Sequence, residues 1–136
     1  MAVSKIKTCC IIDDDPIFIY GTRRIMKEVN FCDEFIVFND GQDALDGLSK
    51  IVDLGKKVPQ VMFLDLNMPV MNGWEFLDEV LQLHSNIFEN TSVYITSSSL
   101  DPRDLEKVKN YKVVSNYILK PITPNDLETV LNSLKN

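Results

Sequence analysis

Residues 9–16 read CCIIDDDP. Four uncharged residues fit for the inside of a sheet run, with no polar transition, into three consecutive carboxylates and a proline. Two carboxylates ~4 Å apart in an effective dielectric of about 20 repel by roughly 4 kcal/mol, so something of opposite charge is expected beside them. The stretch 8–12 is uncharged and rich in β-branched residues, which reads as a strand buried on both faces, as in a parallel sheet. Pro16 then opens a helix, since the first helical turn is where a missing N–H does no harm.

The same strand-then-helix unit recurs along the chain. Ile17, Phe18, Ile25, Met26 and Val29 fall at helical spacing, and residues 35–38 read as a second strand followed by the turn Asn39-Asp40-Gly41. Ala44, Leu45, Leu48, Ile51, Val52 and Leu54 make the apolar stripe of the next helix, which Gly55 and Pro59 bracket at its end. A third strand, 61–64, ends in Asp65; after the loop NMPVMNG (67–73) a helix carries Phe76, Leu77, Val80, Leu81 and Leu83 inward. Residues 92–95 read as a fourth strand leading into Thr96 and three serines, and Asp101-Pro102 starts a helix that runs to about Tyr111. A fifth strand, 116–119, ends in Lys120-Pro121, and the segment 123–126 caps a last helix with Leu127, Val130, Leu131 and Leu134. Five such alternations define an α/β fold: a five-stranded parallel sheet with helices on both faces.

The chain's 136 residues fit one domain, and 45% hydrophobic with 25% charged residues implies a packed core rather than disorder. A net charge of −6 argues against nucleic acid and anionic membranes as partners, because both need basic surface. No segment reaches the roughly 18 apolar residues of a membrane span or resembles a secretion leader, so the expectation is a cytoplasmic protein. Cys9 and Cys10 are adjacent in a strand and point to opposite faces; with Cys32 they are expected to be reduced core thiols. His84, the sole histidine, reads as an exposed bystander, and Trp74 and Phe76 read as helix packing.

In open α/β sheets the functional crevice lies outside the carboxyl ends of the strands. Those ends carry Asp13 and Asp14, Asp65, Thr96 and Lys120. Oxygen ligands without sulfur or imidazole suit Mg2+ beside an anion. A carboxylate in such a cleft can attack phosphorus and become an aspartyl phosphate, with lysine and hydroxyl stabilising the equatorial oxygens.

Four motifs, IIDDDP (11–16), FLDLNMPVMNGWEFL (63–77), ITSS (95–98) and YILKP (117–121), occur in order at the strand ends. Together they resemble the receiver domain of two-component response regulators, the CheY-like superfamily. The resemblance covers residues 1–136 as a single receiver domain with no output domain, and implies a flavodoxin-like (βα)5 fold. It makes Asp65 the phosphoacceptor, and Asp13, Asp14, Asp65 and the backbone carbonyl of Asn67 the Mg2+ ligands. Thr96 and Tyr117 become the switch pair, with Lys120 on a phosphoryl oxygen and Lys120–Pro121 in the cis form that aims the lysine into the site. Asn67 and Ser98 stand where the family tunes water access. Pro69 and Gly73 shape the loop after Asp65, Gly73 by an unusual backbone angle. Asp15 falls outside the acidic pair and reads as the N-cap before Pro16.

The partners implied are a sensor histidine kinase or a histidine phosphotransfer protein, with homodimerisation through the fourth helix, fifth strand and fifth helix compatible with the resemblance. Beyond self-phosphotransfer and slow autodephosphorylation no enzyme activity is implied. The alternative is a haloacid dehalogenase-type phosphatase using Asp65 as nucleophile. That chemistry wants an acid two residues later, where this chain has Asn67, and a cap domain for which there is no room. A flavodoxin-like FMN carrier would need a phosphate-cradling loop where DDDP stands.

Overall fold

The computed structural model describes residues 6–99 and 101–134. The elements are β1 (Ile6–Ile12), α1 (Pro16–Glu28), β2 (Cys32–Phe38), α2 (Gly41–Asp53), β3 (Val61–Asp65), α3 (Gly73–His84), β4 (Ser92–Ser97), α4 (Pro102–Asn110), β5 (Val114–Leu119) and α5 (Pro124–Leu134), with a short 3-10 turn, Ser85–Glu89, after α3. All neighbouring strands pair in parallel, in the order β2-β1-β3-β4-β5. The chain winds from β1 outward to β2, then crosses back to β3 on the other side of β1. The carboxyl ends of β1 and β3 therefore flank the switch point, where such sheets leave a crevice.

Successive strand residues alternate between two cores. Cys10, Ile12, Met62, Leu64, Val93 and Ile95 pack with Leu45, Leu48, Phe76, Leu77 and Val80 of α2 and α3. Cys9, Ile11, Phe63 and Tyr94 pack with Phe18 and Met26 of α1 and Leu127 and Val130 of α5. The two-faced burial read from the uncharged runs, and the opposite orientation of Cys9 and Cys10, both hold. All three cysteines are free thiols.

The differences from the sequence reading have physical reasons. β2 starts at Cys32 and β5 at Val114, ahead of the apolar runs; both are edge strands, where Asp33, Glu34, Ser115 and Asn116 stay in water while their backbone pairs. β3 and β4 extend through Asp65 and Thr96, so these side chains stand on strand backbone rather than on loops. Ile17, Leu54 and Leu83 are exposed, and Val29, Val52 and Leu134 also lie at the surface, whereas Thr22 is buried on α1. A 13-residue helix is about 20 Å long and five-residue β3 about 17 Å, so helix ends overhang the sheet and their apolar residues find nothing to cover.

Local caps follow the sequence. Asp15 Oδ1 accepts from the Ile17 N–H at 3.0 Å, and Asn72 with Glu75 forms a reciprocal capping box on α3. His84 is no bystander: its Nε2 lies 2.9 Å from Ser49 Oγ, joining α3 to α2. α4 contributes no buried residue. It is clasped to α3, where the Trp74 indole N–H donates to Asp104 at 3.1 Å, the Tyr111 hydroxyl donates to Asp78 at 2.7 Å, and the two rings lie 4.9 Å apart.

Leu77→Ala, at a fully buried site, should cost about 2–5 kcal/mol of stability, while Leu83→Ala, at an exposed site on the same helix, should stay within about 0.5 kcal/mol of wild type. Urea denaturation of the two variants measures both.

Candidate functional site

Asp13 follows β1 and is fully buried. Its N–H donates to the Phe38 carbonyl at 3.0 Å, which extends the β1–β2 ladder by one bond, and its Oδ1 accepts from the Asp15 N–H at 2.9 Å. Asp14, the next residue, is exposed. Asp65, at the end of β3, is nearly buried and accepts through Oδ1 from the Asn67 N–H at 3.2 Å. Thr96 lies directly across the β3–β4 pair from Asp65. Side chains paired in this way leave the sheet on the same side. The Thr96 hydroxyl is buried and makes no hydrogen bond among the described residues, a costly condition of about 1–3 kcal/mol for a group with no further use.

Lys120 leaves the end of β5 with its N–H bonded to the Ser97 carbonyl at 2.9 Å, and the Lys120–Pro121 peptide is cis. Its ammonium reaches back across β4 and β3 to lie 2.7 Å from Asp13 Oδ2 and 3.5 Å from Asp65 Oδ1. It also sits 4.3 Å from the centre of the Phe18 ring, a cation–π contact.

Asp13, Asp14 and Asp65 each offer a carboxylate oxygen, all within 4.8 Å of one another. Three acids against one ammonium leave two negative charges uncompensated in a pocket that opens to water through Asp14. An all-oxygen donor set with that charge deficit fits a hard divalent cation. Burial first, and then the Asp13 charge, push the Asp65 carboxyl up to about 6, against the pull of Lys120 and the Asn67 N–H.

The loop after Asp65 corrects one expectation. The left-handed backbone falls on Val70, with φ 67°, and not on Gly73. Gly73 is required by close approach: a Cβ there would stand 2.7 Å from the Asp65 carbonyl oxygen and 3.1 Å from Leu66 Cα. Its N–H bonds the Leu66 carbonyl at 3.0 Å, so the loop folds back against the phosphoacceptor candidate. Val70 is fully exposed, a β-branched residue held in a conformation that disfavours it.

The structure thus brings together Asp13, Asp14, Asp65, Thr96 and Lys120, with Asn67 closing on Asp65 through its N–H. Tyr117 stays outside: it pairs with Ile95 in the sheet and its side chain is exposed. Two contributors escaped the sequence reading. Phe18 looks like any apolar residue of an amphipathic helix, and Ser97, whose Oγ accepts from the Asn67 amide at 3.4 Å, stands in a run of serines with nothing to single it out.

The structure is a doubly wound α/β sheet whose switch point gathers carboxylates that could hold a metal ion, beside a lysine. The chain belongs to the response regulator receiver domain family of two-component signalling, whose sequence profile matches residues 9–132. A crystal structure of a two-component response regulator from Cytophaga hutchinsonii is 32% identical with a TM-score of 0.91, covering 97% of this chain and 98% of that one. The probable methanogenesis regulatory protein FilR2 of Methanothrix harundinacea is 25% identical over 125 residues, spanning 92% of this chain and 79% of that protein. The transcriptional regulatory protein HptR of Staphylococcus aureus is 27% identical over 124 residues, spanning 91% of this chain and 44% of that protein. The chain therefore spans less than half the length of this second relative.

Relief of the Val70 strain by Val70→Asn should stabilise the protein by about 1 kcal/mol, and Gly73→Ala should destabilise it by about 1–3 kcal/mol through the clash with the Asp65 carbonyl; thermal melts give both signs. The raised carboxyl of Asp65 sets a pH dependence. The folded protein holds a proton there that the unfolded chain has released, so in EDTA stability rises as pH falls from 7 through about 6 towards the ordinary value of 3.8. Asp65→Asn should flatten that part of the slope and stabilise the metal-free protein at pH 7 by on the order of 1–3 kcal/mol. Denaturant titrations at pH 7 and pH 5 compare the two proteins.

Proposed function

We propose that this two-component response regulator accepts its phosphoryl group on Asp65. The observation that carries the reading is the reach of Lys120 across the sheet to both Asp13 and Asp65, with the unpaired Thr96 hydroxyl directly across from Asp65. At neutral pH the Asp65 carboxylate is ionised and can attack the phosphorus of a phosphohistidine; the P–N bond breaks and the imidazole leaves with a proton from solvent. Lys120 balances charge on the transferred group, and the Thr96 hydroxyl, with no other partner among the described residues, donates to a phosphoryl oxygen once one is present.

Asp13, Asp14, Asp65 and the Asn67 carbonyl would hold Mg2+, which when bound neutralises the developing phosphoryl charge. The nearly buried position of Asp65 limits the access of bulk water to the acyl phosphate, and Asn67 and Ser98 occupy the positions where the family tunes that access. On this reading the donor is a sensor histidine kinase or a phosphotransfer protein and the chain acts in the cytoplasm. No helix among the described residues is long and apolar enough to cross a membrane. Turnover is limited to the chain's own phosphorylation and slow dephosphorylation. The outward Tyr117 is the resting arrangement; when Thr96 turns to the phosphoryl group it vacates space that the tyrosine ring fills. The readable surface is then the face of α4, β5 and α5, where Tyr117 and Leu119 are exposed, and where a second copy or a target can bind.

Incubation with Mg2+ and acetyl phosphate should add one phosphate to the intact mass of the wild type and none to Asp65→Asn. Persistence of the same adduct in the variant would overturn the assignment. Asp14→Ala should keep the fold and lose on the order of tenfold or more in Mg2+ affinity, read by isothermal titration.

A further inference from the structure

The third cysteine supplies a feature that the phosphoryl site does not use. Cys9, in the middle of β1, and Cys32, at the start of β2, face the same core, and their sulfurs lie 2.9 Å apart. Met26 Sδ stands 3.8 Å behind Cys9. Cys9 has no exposed surface, while Cys32 is half-buried and lines a pocket of about 150 Å³ with Arg23, Met26, Lys27, Asp33 and Phe35. The Arg23 guanidinium is fixed over the Phe35 ring at 5.3 Å, so the pocket mouth carries two cations against one carboxylate. A half-buried thiol on the wall of an open pocket, with a second thiol directly behind it, is the layout in which the first is attacked and the second resolves.

We propose that Cys9 and Cys32 form an oxidisable dithiol whose substrate is a small hydroperoxide. The Cys32 thiolate attacks the terminal peroxide oxygen; the O–O bond breaks, an alcohol or water leaves, and Cys32 becomes a sulfenic acid. Cys9 Sγ then attacks Cys32 Sγ and water departs with the Cys9 proton. Two thiols and one hydroperoxide thus become one disulfide, one alcohol and one water, the thiols being oxidised and the peroxide reduced. The sulfurs have to close from 2.9 Å to about 2.0 Å, and because Cys32 pairs with Ile6, three residues before Cys9, the start of β2 shifts with them. The order of events follows from the surroundings. The Cys9–Cys32 hydrogen bond holds the Cys32 thiol below its ordinary value, against burial and the Asp33 charge, while that same bond and burial raise Cys9. Cys10, on the opposite face, is fully buried and is pushed up by that burial. The site lies away from the acidic pocket, and the inference does not depend on the assignment of Asp65.

The test is limited oxidation of the folded protein with hydrogen peroxide. Titration with a thiol reagent in denaturant should fall from three thiols to one, the intact mass should drop by two hydrogens, and a non-reduced digest should contain the Cys9–Cys32 cross-link, all reversed by dithiothreitol. Cys10→Ser should still lose two thiols. Cys32→Ser should lose none at the same dose, and Cys9→Ala should leave a Cys32 sulfenic acid that dimedone traps. Survival of all three thiols, or a cross-link that involves Cys10 or joins two chains only, would overturn the proposal. If Cys9→Ala does not fold, the wild-type cross-link and the Cys32→Ser protein decide it.

Discussion

The structure turns on the ion contacts of a single lysine. Three carboxylates gathered at the ends of β1 and β3 repel one another, and the Lys120 ammonium, 2.7 Å from Asp13 and 3.5 Å from Asp65, is what the described residues set against them. It removes only part of the negative charge. The remainder makes the pocket an attractor for cations and holds the Asp65 proton more tightly than an ordinary carboxylate would. Because Lys120 reaches in from the far edge strand, the contact spans four strands' width of the sheet and requires β3 and β4 to lie between. Sheet order and site chemistry are therefore one constraint.

The sheet meets that constraint by burying both of its faces. With cores above and below, β1, β3 and β4 have little freedom to tilt or slide, and a one-residue slip would exchange the residues of the two cores. The acids and the hydroxyl inherit that rigidity because Asp65 and Thr96 belong to the strands themselves. The loop that follows is less comfortable. Gly73 lets the chain press against the Asp65 carbonyl, and Val70 carries the unfavourable backbone angle that the tight return imposes.

Much of this was legible in the sequence, for physical reasons. Buried parallel strands must be uncharged, so CCII, VMFL and SVYI announced themselves, and a carboxylate or lysine straight after such a run marks the edge where function sits. Asp13, Asp14, Asp65, Thr96 and Lys120 were all found that way and meet in space. Edge strands gave no such signal, because half of their residues may be polar; the early starts of β2 and β5 were missed, and with β2's start the closeness of Cys32 to Cys9. Helix periodicity named the inward stripes but not their ends, since Ile17, Leu54 and Leu83 keep the period after the sheet beneath them has run out. The role of Phe18 beside Lys120 depends on where a side chain from another element arrives, which spacing along one helix does not encode.

α4 differs from the other four helices in how it is attached. It has no fully buried side chain: Val108 packs half-buried against the core, and the Trp74–Asp104 hydrogen bond, the Tyr111–Asp78 bond just past its end and one ring contact tie it to α3. A helix seated by burial cannot shift without opening a cavity, whereas one fastened by polar contacts can exchange them for water at small net cost. α4 is thus the helix held least by burial, set on the outside of a frame whose other helices are seated in the two cores. Trp74, one residue after Gly73, links its polar contacts to the loop that touches Asp65, so the outermost helix is joined to the acidic pocket by a single short stretch of chain.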